Sequence, residues 1–229
     1  MRLEDILLQI PVLLFSVVAH EYAHAEAAYR QGDTTAYMLG RLTLNPLKHI
    51  DPFMTILLPT ILILSHAPFI FGGAKPVPVN SRNYRNYVRG DIIVSLAGIA
   101  TNLALFLLCA IAFVLVGLVG HALSAPVPTL ALLQRMTFWG MAINVILACF
   151  NLIPIPPLDG SHVLKQILPP AAGMRFRQLY SFGIIPILLV VWLLPGVIDF
   201  FMWPGVQLLG VTLRVLYPFL LAGGVPTSL

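Results

Sequence analysis

Charge is scarce in this chain. Only 10% of its 229 residues are Asp, Glu, Lys or Arg, against 59% hydrophobic, where a soluble globular domain carries about a quarter charged residues. That shortage excludes an ordinary water-soluble fold, and the mean hydropathy of +0.90 agrees. Acids are fewer than bases, nine against thirteen. The excess reads as the basic bias of membrane-protein loops and gives no footprint for nucleic acid. Cysteine is rarer still. Cys109 and Cys149 both lie in apolar runs, which argues against a disulfide framework or a thiolate metal site and reads as small buried hydrophobes. Long polar stretches are missing too, so no sizeable soluble module is expected, and no repeat or low-complexity linker is visible.

What remains is a series of apolar segments approaching the roughly 20 residues that span a bilayer. The first helix is expected over residues 6–29. It has no basic leader beyond Arg2 and carries Glu4 and Asp5, so it reads as a mature helix and not a signal peptide. Residues 53–71 are apolar but interrupted by Pro59, His66 and Pro68. A long helix is expected over 92–119, opened by Asp91, with Ala97, Gly98, Ala100 and Asn102 suited to close helix contact. Another over 136–150 runs into Asn151-Leu-Ile-Pro-Ile-Pro-Pro-Leu-Asp159-Gly160. Runs at 184–194 and 206–221 finish the chain, meeting at a break with Pro195-Gly196 and Pro204-Gly205. Residues 40–46 (GRLTLNP) suggest a short strand or turn, and 72–80 (GGAKPVPVN) an extended segment, because the prolines forbid helix. The expected fold is an all-α, polytopic transmembrane helix bundle of about five to six hydrophobic segments, with a small extended or β element on the cytoplasmic side. It forms one integral membrane domain over 1–229, with a core at 6–165 and additional helices at 180–222.

Ten of the thirteen Lys and Arg fall within residues 30–48, 75–89 and 165–177. The positive-inside rule puts all three stretches in the cytoplasm. The N-terminus is then outside, and segments 92–119 and 136–153 go out and return. Segment 53–71 lies between two cytoplasmic stretches, so it is expected to be re-entrant or a helical hairpin broken at Pro59, buried in protein or facing water.

Near the inner end of the first helix stands His20-Glu21-Tyr22-Ala23-His24. Histidines four apart project from one side of a helix and can share one metal ion. Glu21 lies about 100° from His20 and about 60° from His24, so it can reach water at the metal without being a ligand. Two His and a Glu in a membrane-length apolar helix carry a desolvation cost that demands a reason. Hydrolytic zinc sites take three protein ligands and leave a position for water. Asp159 is the candidate third ligand. Pro154, Pro156 and Pro157 stop the preceding helix, and the topology puts Asp159 on the same side as His24. On local sequence alone Asp159 can equally be a helix N-cap. Asn151 can donate a hydrogen bond to an oxyanion or cap its own helix. His49, His121 and His162 read as structural or solvated, and His66 as a histidine that could approach the metal. Arg214 and Asp199 could pair or line a polar path, with a snorkelling Arg the plainer account.

HEYAH in a first transmembrane helix, with NLIPIPPLDG at the end of a distant one, resembles the site-2 protease family of intramembrane zinc metalloproteases. GRLTLNP and GGAKPVPVN are similar to its short bacterial and archaeal members. The resemblance covers about residues 10–165 and excludes the PDZ and CBS forms. It implies one Zn2+ per chain, bound by His20, His24 and Asp159, with Glu21 as general base and then acid and Asn151 holding substrate or oxyanion. One departure is Ala97-Gly98-Ile99 where the family often has Ala-Gly-Pro. It further implies a transmembrane protein or peptide substrate cleaved in or near the bilayer, no nucleic-acid partner, and a prokaryotic cell membrane with the active site nearer the cytoplasm. A catalytically silent relative or a metal transporter is the alternative. An intact Glu21 opposes the first, and the lack of an inverted repeat opposes the second.

Overall fold

A computed structural model describes residues 3–52, 57, 61, 75–123 and 127–226. The expected re-entrant segment 53–71, with Pro59 and His66, lies outside the described residues apart from two isolated positions. The main helices are α1 (Leu3–Gln31), α2 (Tyr87–Ala122), α3 (Pro128–Asn151), α4 (Asp159–Ile167), α5 (Pro170–Gln178), α6 (Ile185–Leu193) and α7 (Pro195–Leu216). No strand occurs among the described residues. Four helices are long and apolar enough to cross a membrane: Glu4–Gln31, Tyr87–Ala122, Pro128–Asn151 and Pro195–Phe219. Among the described residues a fifth crossing would have to come from the pair Pro170–Phe182 and Ile185–Leu193, bent by 93°. The count among the described residues is therefore four or five. The helix α6 has nine residues, which at 1.5 Å each reach about half of a 30 Å hydrocarbon core.

The chain divides into two compact units, one of Val17–Gly98 and one of Met1–Ser16 with Ile99–Leu229. In the first, α1 ends at Gln31 and the chain turns at Gly32, whose φ of +107° suits glycine. A helical turn, Thr35–Met38, follows. Residues 40–46, expected as a strand or turn, form turns and bends, and Asn45 caps the short 3-10 turn Pro46–Lys48 by accepting from the Leu47 N–H. Residues 75–80 carry neither helix nor strand pairing, so the small extended or β element expected at 72–80 is not shown as a strand, and 72–74 lie outside the described residues. Asn80 then caps the 3-10 turn Ser81–Asn83. Ala25, Ala36 and Val77 form one small core, and Ala28, Tyr84 and Val94 another.

In the second unit, Phe106 and Phe113 from α2 pack with Phe138, Met141 and Val145 from α3 and Leu216 from α7. Polar side chains tie this apolar bundle together. Asn102 donates to Asn144 (2.8 Å), and Asn144 donates to Ser16 (2.9 Å), all three buried. Inter-helix hydrogen bonds of this kind contribute about 0.6 kcal/mol each in membranes. Buried Gln134 donates to the Phe219 carbonyl and accepts from the Leu221 N–H, holding the C-terminal segment. Arg135 pairs with Asp5 at 3.0 Å and Glu4 at 3.4 Å. On α2, Leu107, Ile111 and Leu115 are 57–60% exposed. So wide an apolar face suits contact with lipid and not water.

Boundaries differ from the sequence expectation in two places. The helix α3 begins at Pro128, not near residue 136, because proline is well tolerated in a first turn and the polar residues Gln134 and Arg135 find internal partners. The expected break at 195–205 is confined to Leu194, and α7 runs from Pro195 straight through Pro204, which transmembrane helices tolerate. Asp199 and Arg214 lie on this one helix about 22 Å apart, so they do not pair. Both are exposed. Cys109 and Cys149 are free and half-buried, as small hydrophobes.

Candidate metal centre

The spacing of His20 and His24 on α1 sets both imidazoles on one face. Their Nε2 atoms lie 3.0 Å apart and the rings meet edge to face, with centroids 4.6 Å apart. The His24 Nδ1 lies 2.7 Å from the Val94 carbonyl oxygen. A carbonyl only accepts, so Nδ1 carries the proton and Nε2 presents its lone pair. Gly98 lies one turn beyond Val94 on α2. A Cβ there would stand 2.5 Å from the His20 Cε1 and 2.6 Å from the Nε2 atoms of both histidines. The absence of a side chain at 98 therefore leaves the space in front of the rings open. Zinc–nitrogen bonds of 2.0–2.1 Å in tetrahedral geometry set two ligand nitrogens about 3.3 Å apart. The observed imidazole pair fits that requirement closely.

Glu21, between the histidines, is turned elsewhere. Its Oε2 accepts from the Val77 N–H at 2.8 Å. This agrees with a carboxylate that serves the site without ligating.

Asp159 opens α4 as its first helical residue, so the N-cap position falls to Leu158. The loop before it is tight and includes a cis peptide between Pro156 and Pro157. Buried Ile153 and Leu158 pack against Ile187. Gly160 lies so close to the Leu152 carbonyl that a Cβ would collide with it. Ser161 donates to the Leu158 carbonyl and meets the Tyr180 hydroxyl at 2.7 Å, closing the turn. Asn151 gives one amide N–H to the Leu147 carbonyl at 3.0 Å, which is the local partner its position at a helix end offers.

The three other described histidines have partners or settings of their own. His49 is buried with its Nε2 at 2.9 Å from the Thr43 carbonyl, a structural role. His162 packs edge to face on Tyr180 and lies 3.2 Å from the Lys165 Nζ. His121 ends α2, exposed. Sequence reasoning missed Val94, Gly98 and Val77 as neighbours of the motif. Gly98 was legible as a small residue for close contact, but not what it contacts.

Comparison with known proteins agrees with this chemistry. The model of peptidase family M50 matches residues 9–193. A Bacillus subtilis protein, YwhC, whose name proposes a zinc metalloprotease, is 39% identical over 192 residues, 84% of this chain and 82% of its own. Rip2 of Mycolicibacterium smegmatis, named in the same way, is 34% identical over 206 residues, 85% of this chain and 73% of its own. Rip2 of Mycobacterium tuberculosis is 32% identical over 183 residues, 80% of this chain and 65% of its own. No solved structure matches. With the match spanning most of the chain and an imidazole pair suited to zinc, this multi-pass membrane protein belongs to peptidase family M50, zinc-dependent intramembrane proteases of the site-2 type.

Proposed function

We propose that His20, His24 and Asp159 hold the zinc ion and that Glu21 is the general base and then the general acid of peptide hydrolysis. The observation that carries this reading is the pair of imidazoles on α1, with Nε2 atoms 3.0 Å apart and the His24 tautomer set by the Val94 carbonyl. Zinc, when bound, supplies a Lewis acid that activates water and polarises the scissile carbonyl. Glu21 takes the proton from that water and passes it to the leaving amine. Asn151 keeps one amide N–H beyond its bond to Leu147 and offers it to the substrate or the developing oxyanion.

The substrate in this reading is a transmembrane segment. Its peptide bonds are shielded by helical hydrogen bonds, so it unwinds before attack. Residues 75–80 receive the unwound strand through main-chain bonds. This reading puts the protein in a prokaryotic cell membrane, and the three basic stretches support an active site toward the cytoplasm. Residues 6–165 form the catalytic core and 180–222 add membrane helices.

Glu21→Gln tests the mechanism. The variant keeps its zinc and loses cleavage of a single-span substrate by at least about 100-fold, the lower end of what general-base catalysis contributes. Cleavage at the wild-type rate would refute the assignment. The same variant separates the protease from a metal carrier, which would keep metal flux without the base.

A further inference from the structure

The main-chain donors of residues 75–80 can be accounted for one by one. The Lys75 N–H goes to the His49 carbonyl at 2.8 Å. Pro76 and Pro78 have none. The Val77 N–H goes to the Glu21 Oε2 at 2.8 Å. The Asn80 N–H goes to the Asp33 Oδ2 at 2.7 Å. Within 75–80, Val79 alone keeps both its N–H and its carbonyl unspent. Burial follows the same division. Val77 is 7% exposed and packs on Ala25 and Ala36, whereas Val79 is 41% exposed.

We propose that this segment does two separable jobs: the Val77 N–H positions the Glu21 carboxylate, and Val79 is the rung on which an unwound substrate strand pairs. The second job rests on the reading that substrate is received here as an extended strand. In extended backbone, residues 76 and 78 point their main-chain groups to the edge opposite 77 and 79. Proline at both removes the donors from that edge, so a substrate has one edge to use. On that edge an antiparallel partner exchanges two hydrogen bonds with one residue, and Val79 offers both halves. Two residues of strand span about 6.6 Å, so a peptide paired at Val79 continues level with Val77 and the carboxylate it holds. Val77 is therefore a positioning residue acting through Glu21, and Val79 a binding residue.

The test replaces the amide N–H alone, by installing the α-hydroxy analogue of valine at 77 or at 79, with Val77→Pro and Val79→Pro as a second pair lacking the same donor. Kinetics are measured in detergent on a synthetic single-span transmembrane peptide that the wild-type protein cleaves, with zinc content measured on each variant. The ester at 79 raises KM about fivefold to tenfold, the worth of one hydrogen bond, and leaves kcat within about twofold. The ester at 77 lowers kcat about tenfold or more and leaves KM within about twofold, with zinc unchanged. If both positions move KM and kcat together, if neither moves, or if the 77 ester loses zinc, the division of labour is wrong. Glu21→Gln distinguishes this from failure of the parent reading. A dead Glu21→Gln with two indistinguishable esters refutes only the assignment of residues 77 and 79. A fully active Glu21→Gln refutes the mechanism beneath it.

Discussion

Gly98 meets two rings that have little freedom to retreat. The His24 imidazole is held by the Val94 carbonyl at 2.7 Å, and both rings rise from a continuous helix. A methyl group at 98 would lie 2.5–2.6 Å from three ring atoms, well inside ordinary contact, so the rings must turn or the helices must shift. Overpacking of a tight site costs about 1–3 kcal/mol. At 1.4 kcal/mol per decade, Gly98→Ala should weaken zinc binding about 5- to 140-fold. Zinc retained per protein after dialysis against a graded chelator measures this, with helix content by circular dichroism as the folding control. Wild-type retention would show that the rings can yield. Val94 plays the complementary part. It contributes through its main-chain oxygen, so side-chain substitutions there leave the His24 tautomer intact as long as the helix register holds.

At the scale of elements, the turn after α1 depends on one buried carboxylate. Asp33 is fully buried and accepts from the Thr35 N–H and hydroxyl, the Asn80 N–H and the Asn83 amide. Burial by itself pushes its acidity constant up, but the four hydrogen bonds together outweigh it and hold the carboxyl below the ordinary aspartate value. The ionised form is thus the one the fold prefers. Its contribution is fully present above the ordinary pKa of about 4 and is lost as pH falls through the lower folded value. Asp33→Asn puts an NH2 group where an acceptor is needed and should cost about 1–3 kcal/mol. The variant should also lose the part of the acid-induced decline below about pH 4 that Asp33 causes. Thermal unfolding in detergent across pH gives both quantities. An unchanged midpoint near neutral pH would count against the role. This carboxylate shows where sequence legibility stopped. The HEYAH pair was readable because helical periodicity alone sets its geometry, and 75–80 because prolines restrict their own backbone. Asp33 showed at most a local turn with Thr35: its other partners, Asn80 and Asn83, stand 47 and 50 residues away, and only folding reveals them. The same holds for Glu21 and Val77, 56 residues apart. The limits of α7 were misjudged for a different reason. Pro204 ends helices in water, and the rule weakens in an apolar surrounding.

For the molecule as a whole, orientation follows from where charge is left unneutralised. Ten of thirteen cations lie in 30–48, 75–89 and 165–177. Arg135, outside them, is paired with Asp5 and Glu4, so it adds little to the opposite side. The helix α2 has 36 residues, about 54 Å of length at 1.5 Å per residue, which exceeds a bilayer core of about 30 Å. A crossing by this helix sets its two ends in different compartments. Arg82, exposed just before α2, should be cytoplasmic, and Thr129, exposed in the first turn of α3, should be on the other side. With Cys109 and Cys149 replaced by Ala, a single cysteine at each position can be tested in intact cells with a membrane-impermeant maleimide. Thr129→Cys should label at once, and Arg82→Cys only after the membrane is opened. The reverse pattern would invert the topology and move the HEYAH end of α1 away from the cytoplasm. Labelling of both in intact cells would mean that α2 does not span.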